Sequence, residues 1–276
     1  MTAFWNLIGR NFTHTSGGHT GRCGTHGKLP QQVQWSFDYD SEISFYIDQT
    51  MFSHLNEPGD QRRFGWLLES ESIKPAIYKR VAEQREQLFQ RYEAIFTHNQ
   101  ALLALDPRFR FTVCCGYWVK DTGLHPKSRL VSAISSGKDM CDGHRWRNRF
   151  IERHRGRFDL FGNSYQHIDA KEMGLNDYMF SVAIENGSYA TYFTEKLLDC
   201  FATGTIPLYR GAPDVGDYVN SDGIIFVEES FDFDQLTPEL YYNKLDAVRD
   251  NFERLSRYHC AEDFIYEQYR GEYGWA

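Results

Sequence analysis

The stretch from Phe180 to Pro213 constrains the fold of this chain more than any other. An apolar run, Phe180 to Ile184, leads toward Thr194, which has the side chain of a helix N-cap. Glu195 to Phe201 then reads as an amphipathic helix, Gly204 as its terminator, and Thr205 to Tyr209 as a second apolar run. Strand, helix and strand in alternation mark an α/β protein. The helix also raises a question of charge. Lys196 falls in its first turn, where a cation faces the positive end of the helix dipole and unpaired N–H groups. Such a lysine either points to solvent, at a cost of roughly a few tenths of a kcal/mol, or meets an anion, and a phosphate group answers that need.

The same alternation runs through the rest of the chain. Val33, Trp35, Phe37 and Tyr39 alternate with polar residues, as do Ile43, Phe45 and Ile47, predicting two strands. Pro75 opens a helix with Ile77, Val81, Leu88 and Tyr92 on one face, followed by a short strand at Ile95 to Thr97. Ala101 to Leu105, a stop at Asp106-Pro107 and a strand from Phe109 to Cys115 come next. Gly116 to Lys127 has the Gly, Asp, Thr and Pro of a linker. Beyond it lie a strand at Arg129 to Ile134, a basic helix at His144 to Arg153, strands at Phe158 to Phe161 and Ile224 to Val227, and a terminal helix from Leu245 to Tyr269. Gly9 to Lys28, rich in Gly, Thr and His, is the least regular region.

With 276 residues and 41% hydrophobic content the chain can bury a sizeable core, in one large domain or two compact ones. A net charge of -8 argues against a nucleic-acid or anionic-membrane partner, which calls for a basic face. Phe4 to Ile8 is too short for a signal peptide or a membrane span, and no later apolar run is long enough. Cys23, Cys114, Cys115, Cys141, Cys200 and Cys260 lack framework spacing, so reduced thiols and a cytoplasmic location are expected. Aromatic residues, 16% of the chain, are expected mainly in the core.

Glu185-Asn186, then Tyr192-Phe193-Thr194-Glu195-Lys196, then Gly204-Thr205-Ile206-Pro207 resemble the donor-binding signature of family 10 glycosyltransferases, the α-1,3/1,4-fucosyltransferases. That signature reads FEN, a spacer, Y-x-T-E-K, a helix, and G-T-x-P before a strand and a G-x-P turn. Ile184 stands where the family usually has Phe, an apolar-for-apolar exchange. The resemblance covers roughly Glu69 to Val227 and is strongest after Lys127. It implies the GT-B type of α/β fold, two Rossmann-like domains facing a cleft, with the N-terminal one reduced. The expected division is 1–118 as the acceptor-side domain, 119–245 as the domain binding a GDP-sugar, and 246–276 as a helical segment packing back on the first.

Residue by residue, the resemblance assigns Arg147, in Arg147-Asn148-Arg149-Phe150, to the donor diphosphate, which a guanidinium can grip with two parallel hydrogen bonds. Read without it, Arg147 belongs to a surface basic helix facing water, with Arg145, Arg149, Arg153 and Arg155 nearby. Tyr192 would donate to phosphate, Glu195 would accept from the ribose hydroxyls, and Lys196 would neutralise the departing diphosphate. Asn186 would contact the donor or brace the loop, and Thr194 would cap. Inverting transfer also needs a carboxylate to take the proton of the attacking hydroxyl. Glu69 and Glu71 in LLESESI match the family's E-x-E segment, Glu69 at the catalytic position, at the end of a strand on which both side chains share a face. Alternating Glu and Ser is also ordinary loop composition.

Two metal patterns compete. Asp38-Tyr39-Asp40 and Asp232-Phe233-Asp234 are D-x-D sequences, short enough to occur by chance, and His14, His19, Cys23 and His26 match no recognised ligand spacing. The expectation is therefore no metal and no cofactor apart from the donor substrate. The expected function is inverting transfer of fucose from GDP-fucose to a hydroxyl of an oligosaccharide or glycoconjugate, of α-1,3 type. The alternatives are transfer from another nucleotide sugar and a non-catalytic sugar-nucleotide or glycan-binding module.

Overall fold

The structure is a computed structural model that describes residues 3–8, 30–36 and 41–275. The chain forms two compact units, Met1–Trp118 together with Tyr258–Ala276, and Val119–Arg257. The residues weighed for zinc, His14, His19, Cys23 and His26, and the first D-x-D, Asp38-Tyr39-Asp40, lie outside the described residues.

The first unit is built on six parallel strands, β1 (Ala3–Ile8), β2 (Val33–Ser36), β3 (Ile43–Ile47), β4 (Arg62–Trp66), β5 (Ala94–Thr97) and β6 (Phe109–Phe111), in the order β2-β1-β3-β4-β5-β6. Nearly continuous apolar runs suit strands covered on both faces. One cluster joins Trp5 to Phe45 at 4.4 Å, Phe45 to Phe64 at 5.3 Å and Trp5 to Trp275 at 4.9 Å between ring centroids. Another packs Tyr46, Met51, Leu88, Tyr92 and Ile95. Gly65 is required in β4, because a Cβ there would stand 2.4 Å from Met51 Sδ. The apolar opening of the chain is therefore an inner strand of this sheet. The unit is reduced in the length of its elements and not in strand number: Thr50–Ser53 and Arg85–Leu88 are single helical turns, and β6 has three residues. The helix expected from Pro75 through Tyr92 breaks at Gln84 into Pro75–Glu83 and Arg85–Leu88.

The second unit carries β7 (Arg129–Ile134), β8 (Asp159–Phe161), β9 (Tyr178–Ile184), β10 (Ile206–Arg210) and β11 (Ile225–Phe226) in the order β11-β10-β9-β7-β8, again all parallel. Numbered from its own first strand, the first sheet has the order 2-1-3-4-5-6 and the second 2-1-3-4-5, and each reverses between its first and third strands. In such sheets ligands bind beyond the carboxyl ends of the strands at that reversal. The helix Asp142–Arg153 lays Trp146 and Phe150 against Val131, Val182, Ile184 and Leu208. Glu195–Ala202 packs on β9 and β10 through the buried Leu197, Leu198 and Phe201, and ends at Gly204, whose φ of 70° is the left-handed turn a helix terminator needs. The terminal helix expected from Leu245 to Tyr269 is two helices: Leu245–Arg254 belongs to the second unit and Ala261–Tyr273 to the first, joined through the 3-10 turn Leu255–Tyr258.

Candidate active site

In the second unit the site is built from the carboxyl end of β9. Ile184 pairs with Arg210, and the next residue, Glu185, donates its N–H to the Arg210 carbonyl at 2.9 Å. The Glu185 side chain is 0% exposed. Gly211 makes room for it, since a Cβ there would lie 2.7 Å from Glu185 Cγ and 2.1 Å from the Tyr209 hydroxyl oxygen. Glu185 Oε1 accepts the Thr194 N–H at 2.7 Å, and Oε2 accepts the Thr194 hydroxyl at 2.7 Å and Lys196 Nζ at 3.2 Å. Thr194 caps the helix, its hydroxyl accepting from the Lys196 N–H at 3.4 Å. Lys196 Nζ also reaches Glu195 Oε1 at 3.3 Å.

The anion that Lys196 requires in the first helical turn is therefore inside the protein. Glu185 and Glu195 supply it, and no phosphate is needed to explain the lysine. Burial pushes the Glu185 carboxyl up, with Lys196 opposing. Burial acts the same way on Glu195, but Lys196 and Lys171 outweigh it and hold that carboxyl at about 2. Lys171 is shared between Glu195 at 3.9 Å and Asp199 at 2.6 Å. At the far end of the helix Lys127 Nζ donates to the Thr203 carbonyl at 2.7 Å, where a cation suits the dipole.

Arg147 is different. Its side chain is buried (6% exposed), Nη1 donates to the Ile184 carbonyl at 3.3 Å, and the buried Nε has no acceptor. Among the described residues it forms no ion pair, whereas its neighbours Arg145, Arg149 and Arg155 pair at the surface with Asp142, Glu229 and Glu152. The reading of a basic helix facing water holds for those three and fails for Arg147. Burial lowers its pKa, opposed by the charges of Glu185 and Glu195 and by Tyr192. A guanidinium cannot shed its proton at working pH, so a buried one without a direct ion pair is destabilising, a cost that Glu185 and Glu195 offset only in part. Its open donors are the chemical complement of a carboxylate or phosphate.

The other residues around Arg147 are fixed by the loop. Tyr192 is buried and stacks on Tyr189 at 4.7 Å. Thr191 before it has φ 68° and is held by Asp214, which accepts its N–H at 2.8 Å. The Asn186 carbonyl accepts the Cys141 thiol at 3.3 Å, with Gly143 packed against it, so this residue braces the loop through its main chain. Two residues had no role in the sequence reading. Glu185 is the anchor of the arrangement. His144, one helical turn before Arg147, accepts the Met140 N–H on Nδ1 at 3.1 Å, and burial, with Arg147 adding to it, pulls its pKa to about 4. It is therefore neutral, with its proton on Nε2. Its spacing of three from Arg147 is the signal that marks it.

In the first unit β4 ends at Trp66, so Glu69 and Glu71 lie in a turn and not on a strand sharing one face. The Ser70 carbonyl accepts the N–H groups of Ile73 and Lys74, both at 3.0 Å. Glu71 Oε2 accepts from Asn99 Nδ2 at 2.6 Å. The Glu69 carbonyl accepts the Tyr78 hydroxyl at 2.6 Å, while its half-buried carboxylate has no hydrogen bond or ion pair among the described residues. Of the two, Glu69 alone is left open to take a proton.

The second D-x-D serves the fold: Asp232 caps the Asp234 N–H at 2.9 Å, Phe233 is buried, and Asp234 pairs with Arg157. His259, Cys260 and Asp263 bring side-chain N, S and O atoms within 4.8 Å of one another in the first unit. Asp263, however, accepts the N–H groups of Gln31 and Gln32, and Cys260 caps the helix, a position whose dipole disfavours a cation.

The family description "Glycosyltransferase family 10 (fucosyltransferase) C-term" matches residues 124–266. The solved structure of an alpha1,3-fucosyltransferase resembles this chain with a TM-score of 0.51 at 16% identity, over 91% of this chain and 80% of that one. That of TarM gives 0.50 at 12% identity, over 83% and 54%. These likenesses establish the fold, two Rossmann-like α/β units of GT-B type. The chain belongs to glycosyltransferase family 10, the fucosyltransferase family. Alpha-(1,3)-fucosyltransferase B of Drosophila melanogaster is 40% identical over 85 residues, 30% of this chain and 18% of that protein. Alpha-(1,3)-fucosyltransferase FucT of Helicobacter pylori is 31% identical over 75 residues, 27% of this chain and 16% of that protein. This chain thus aligns with only a small part of the length of these relatives.

Proposed function

We propose that this protein is an inverting glycosyltransferase that moves fucose from GDP-fucose to a hydroxyl of an oligosaccharide or glycoconjugate, of α-1,3 type. The observation that carries the reading is the buried Arg147 guanidinium, without an ion pair among the described residues and beside the Tyr192 and Glu195 of the family signature. Two supports come from relatives: two curated ones are named alpha-(1,3)-fucosyltransferases, beside an alpha-(1,4)-fucosyltransferase of Arabidopsis thaliana, and a further solved alpha1,3-fucosyltransferase, TM-score 0.51, is described with GDP.

In this reading Arg147 grips the diphosphate, Tyr192 donates to it, and Lys196 turns from its internal partners toward the charge that grows there. Glu195, ionised at working pH, accepts from the ribose hydroxyls, and Asn186 holds the loop. The acceptor oxygen attacks the anomeric carbon, the bond from that carbon to the phosphate oxygen breaks with its electron pair leaving on GDP, and Glu69 takes the hydroxyl proton. Cationic side chains perform the charge neutralisation, so metal-independence belongs to the same proposal. A cytoplasmic location is proposed as well, supported by the free thiols of Cys114, Cys115, Cys141, Cys200 and Cys260.

The test is a panel of nucleotide sugars, with release of the nucleoside diphosphate measured with and without glycan acceptors, and with and without EDTA. Acceptor-dependent release of GDP from GDP-fucose, retained in EDTA, is expected. Release from a different nucleotide sugar would replace the donor. Binding without transfer would make this a binding module, and activity lost in EDTA and restored by Mn²⁺ would overturn the metal-free chemistry.

A further inference from the structure

We propose that Asp48 is a positioning residue that aims Glu69, an inference that rests on the reading of Glu69 as the base. Asp48 is the first residue past β3, and its φ of 49° makes it one of two non-glycine residues, with Thr191, in the left-handed region among the described residues. Its N–H donates to the Trp66 carbonyl at 2.9 Å, tying it to the end of β4. Its carboxylate, buried at 6% exposure, is divided between two partners: Oδ1 accepts the Leu68 N–H at 3.0 Å and Oδ2 accepts Lys74 Nζ at 2.8 Å. Leu68 and Lys74 flank the turn that carries Glu69.

The rest of that turn is bound inward. The Cys114 thiol donates to the Leu68 carbonyl at 3.5 Å, the Tyr78 hydroxyl to the Glu69 carbonyl at 2.6 Å, and Asn99 to Glu71 at 2.6 Å. The main chain is held on both sides of Glu69 while its carboxylate stays open. None of this is required to join a strand to a helix. A left-handed backbone at a non-glycine residue costs about 1–3 kcal/mol, least for Asp and Asn, and a buried ion pair is a weak net source of stability. Such features persist where surrounding structure must fix a direction, and the direction fixed here is that of the Glu69 side chain. Asp48 touches no substrate in this account.

The test compares Asp48→Ala, Asp48→Asn and Lys74→Met in the full chain, with two readouts. The first is hydrogen exchange of the Leu68 and Glu69 amides, expected to quicken at least about tenfold in Asp48→Ala and to stay near the unmutated rate in Asp48→Asn, whose amide oxygen still accepts. The second is transfer from GDP-fucose to a glycan: kcat is expected to fall roughly 10- to 50-fold in Asp48→Ala and only about three- to tenfold in Asp48→Asn, which keeps the Leu68 contact and loses the Lys74 pair, with donor KM and GDP affinity unchanged. Lys74→Met, which keeps the Leu68 contact, is expected to lower kcat by about three- to tenfold and serves if Asp48→Ala does not fold. Unchanged amide exchange, unchanged kcat in Asp48→Ala and Lys74→Met, or failure of Asn to rescue would each overturn the proposal. Should the unmutated protein transfer no sugar at all, the general-base reading falls separately, and the exchange arm still decides whether Asp48 holds the turn.

Discussion

The two units share the strand order 2-1-3-4-5, to which the first adds a sixth strand, and differ in the charge each leaves open. Beyond β4 the first unit presents a carboxylate, Glu69, on a turn whose other polar contacts point inward. Around the end of β9 the second unit buries a guanidinium, Arg147, while Glu185, Glu195, Lys171, Lys196 and Asp199 satisfy one another. The group that folding leaves without a partner decides what each site can do. A buried carboxyl further separates the cases. Glu262 is fully buried in the first unit, with Trp35 Nε1 donating to Oε1 at 3.3 Å and Oε2 unpartnered. It can relieve that burial by taking a proton, and its pKa is raised to about 8 by desolvation. Arg147 has no such escape, so its open donors call for an anion.

The sharpest test of the contrast is Glu69→Gln. Transfer is expected to fall by at least ~10²-fold with GDP affinity unchanged, whereas Glu71→Gln, whose partner is Asn99, is expected to fall only slightly. Steady-state kinetics beside calorimetry reads both, and equal losses would dissolve the distinction between the two carboxylates. Arg147→Ala is expected to weaken GDP binding by about 10²-fold while leaving thermal stability unchanged or raised, because a buried charge without a partner is removed. Unaltered GDP affinity would remove Arg147 from the site.

Lys196→Ala is expected to weaken GDP by on the order of 1.5–3 kcal/mol and, in contrast to Arg147→Ala, to lower folding stability by about 1–3 kcal/mol, since buried Glu185 loses its cation. Chemical unfolding of the two variants side by side decides it; if both are equally stable, the internal pairing of Lys196 is not what separates it from Arg147. The smallest effect near pH 5 concerns Glu262. Its folded pKa lies above its ordinary value, so between about pH 4.5 and 8 the folded protein keeps a proton that the unfolded chain releases, and stability falls as pH rises through that window. Glu262→Gln removes the dependence: its gain over the unmutated protein should be small near pH 5 and grow as the pH rises toward 8. A gain that does not change with pH would mean Glu262 is ionised when folded.

Much of the second unit was legible in the sequence because its signals are local. Thr194 as cap, Gly204 as terminator and the apolar runs on either side each act within a few residues, and the structure follows them. The charge argument for Lys196 was half legible. A cation in the first helical turn does need an anion, but that the anion is Glu185, brought beneath it from the end of β9, is a tertiary fact. The same limit hides the difference between Arg147 and Arg145, which read alike in a basic helix until packing buries one and leaves the other with Asp142. In the first unit, periodicity carried the helix past Gln84 and the strand past Phe111, because the pattern of apolar residues continues where the hydrogen bonding stops. Nothing in LLESESI marks which glutamate Asn99 would hold.

The first unit is discontinuous: Asp263 reaches back 232 residues to the N–H of Gln31, and Trp275 closes the ring cluster around Trp5 and Phe45. This fixes an order of birth on the ribosome. The second unit is one continuous stretch and has all its strands once Arg257 has emerged, while the earlier-made aromatic face of the first sheet must wait, uncovered, for a helix not yet translated. Contacts of such long sequence separation form late, and the waiting surface is the part of the nascent chain most exposed to mispairing and to chaperone capture.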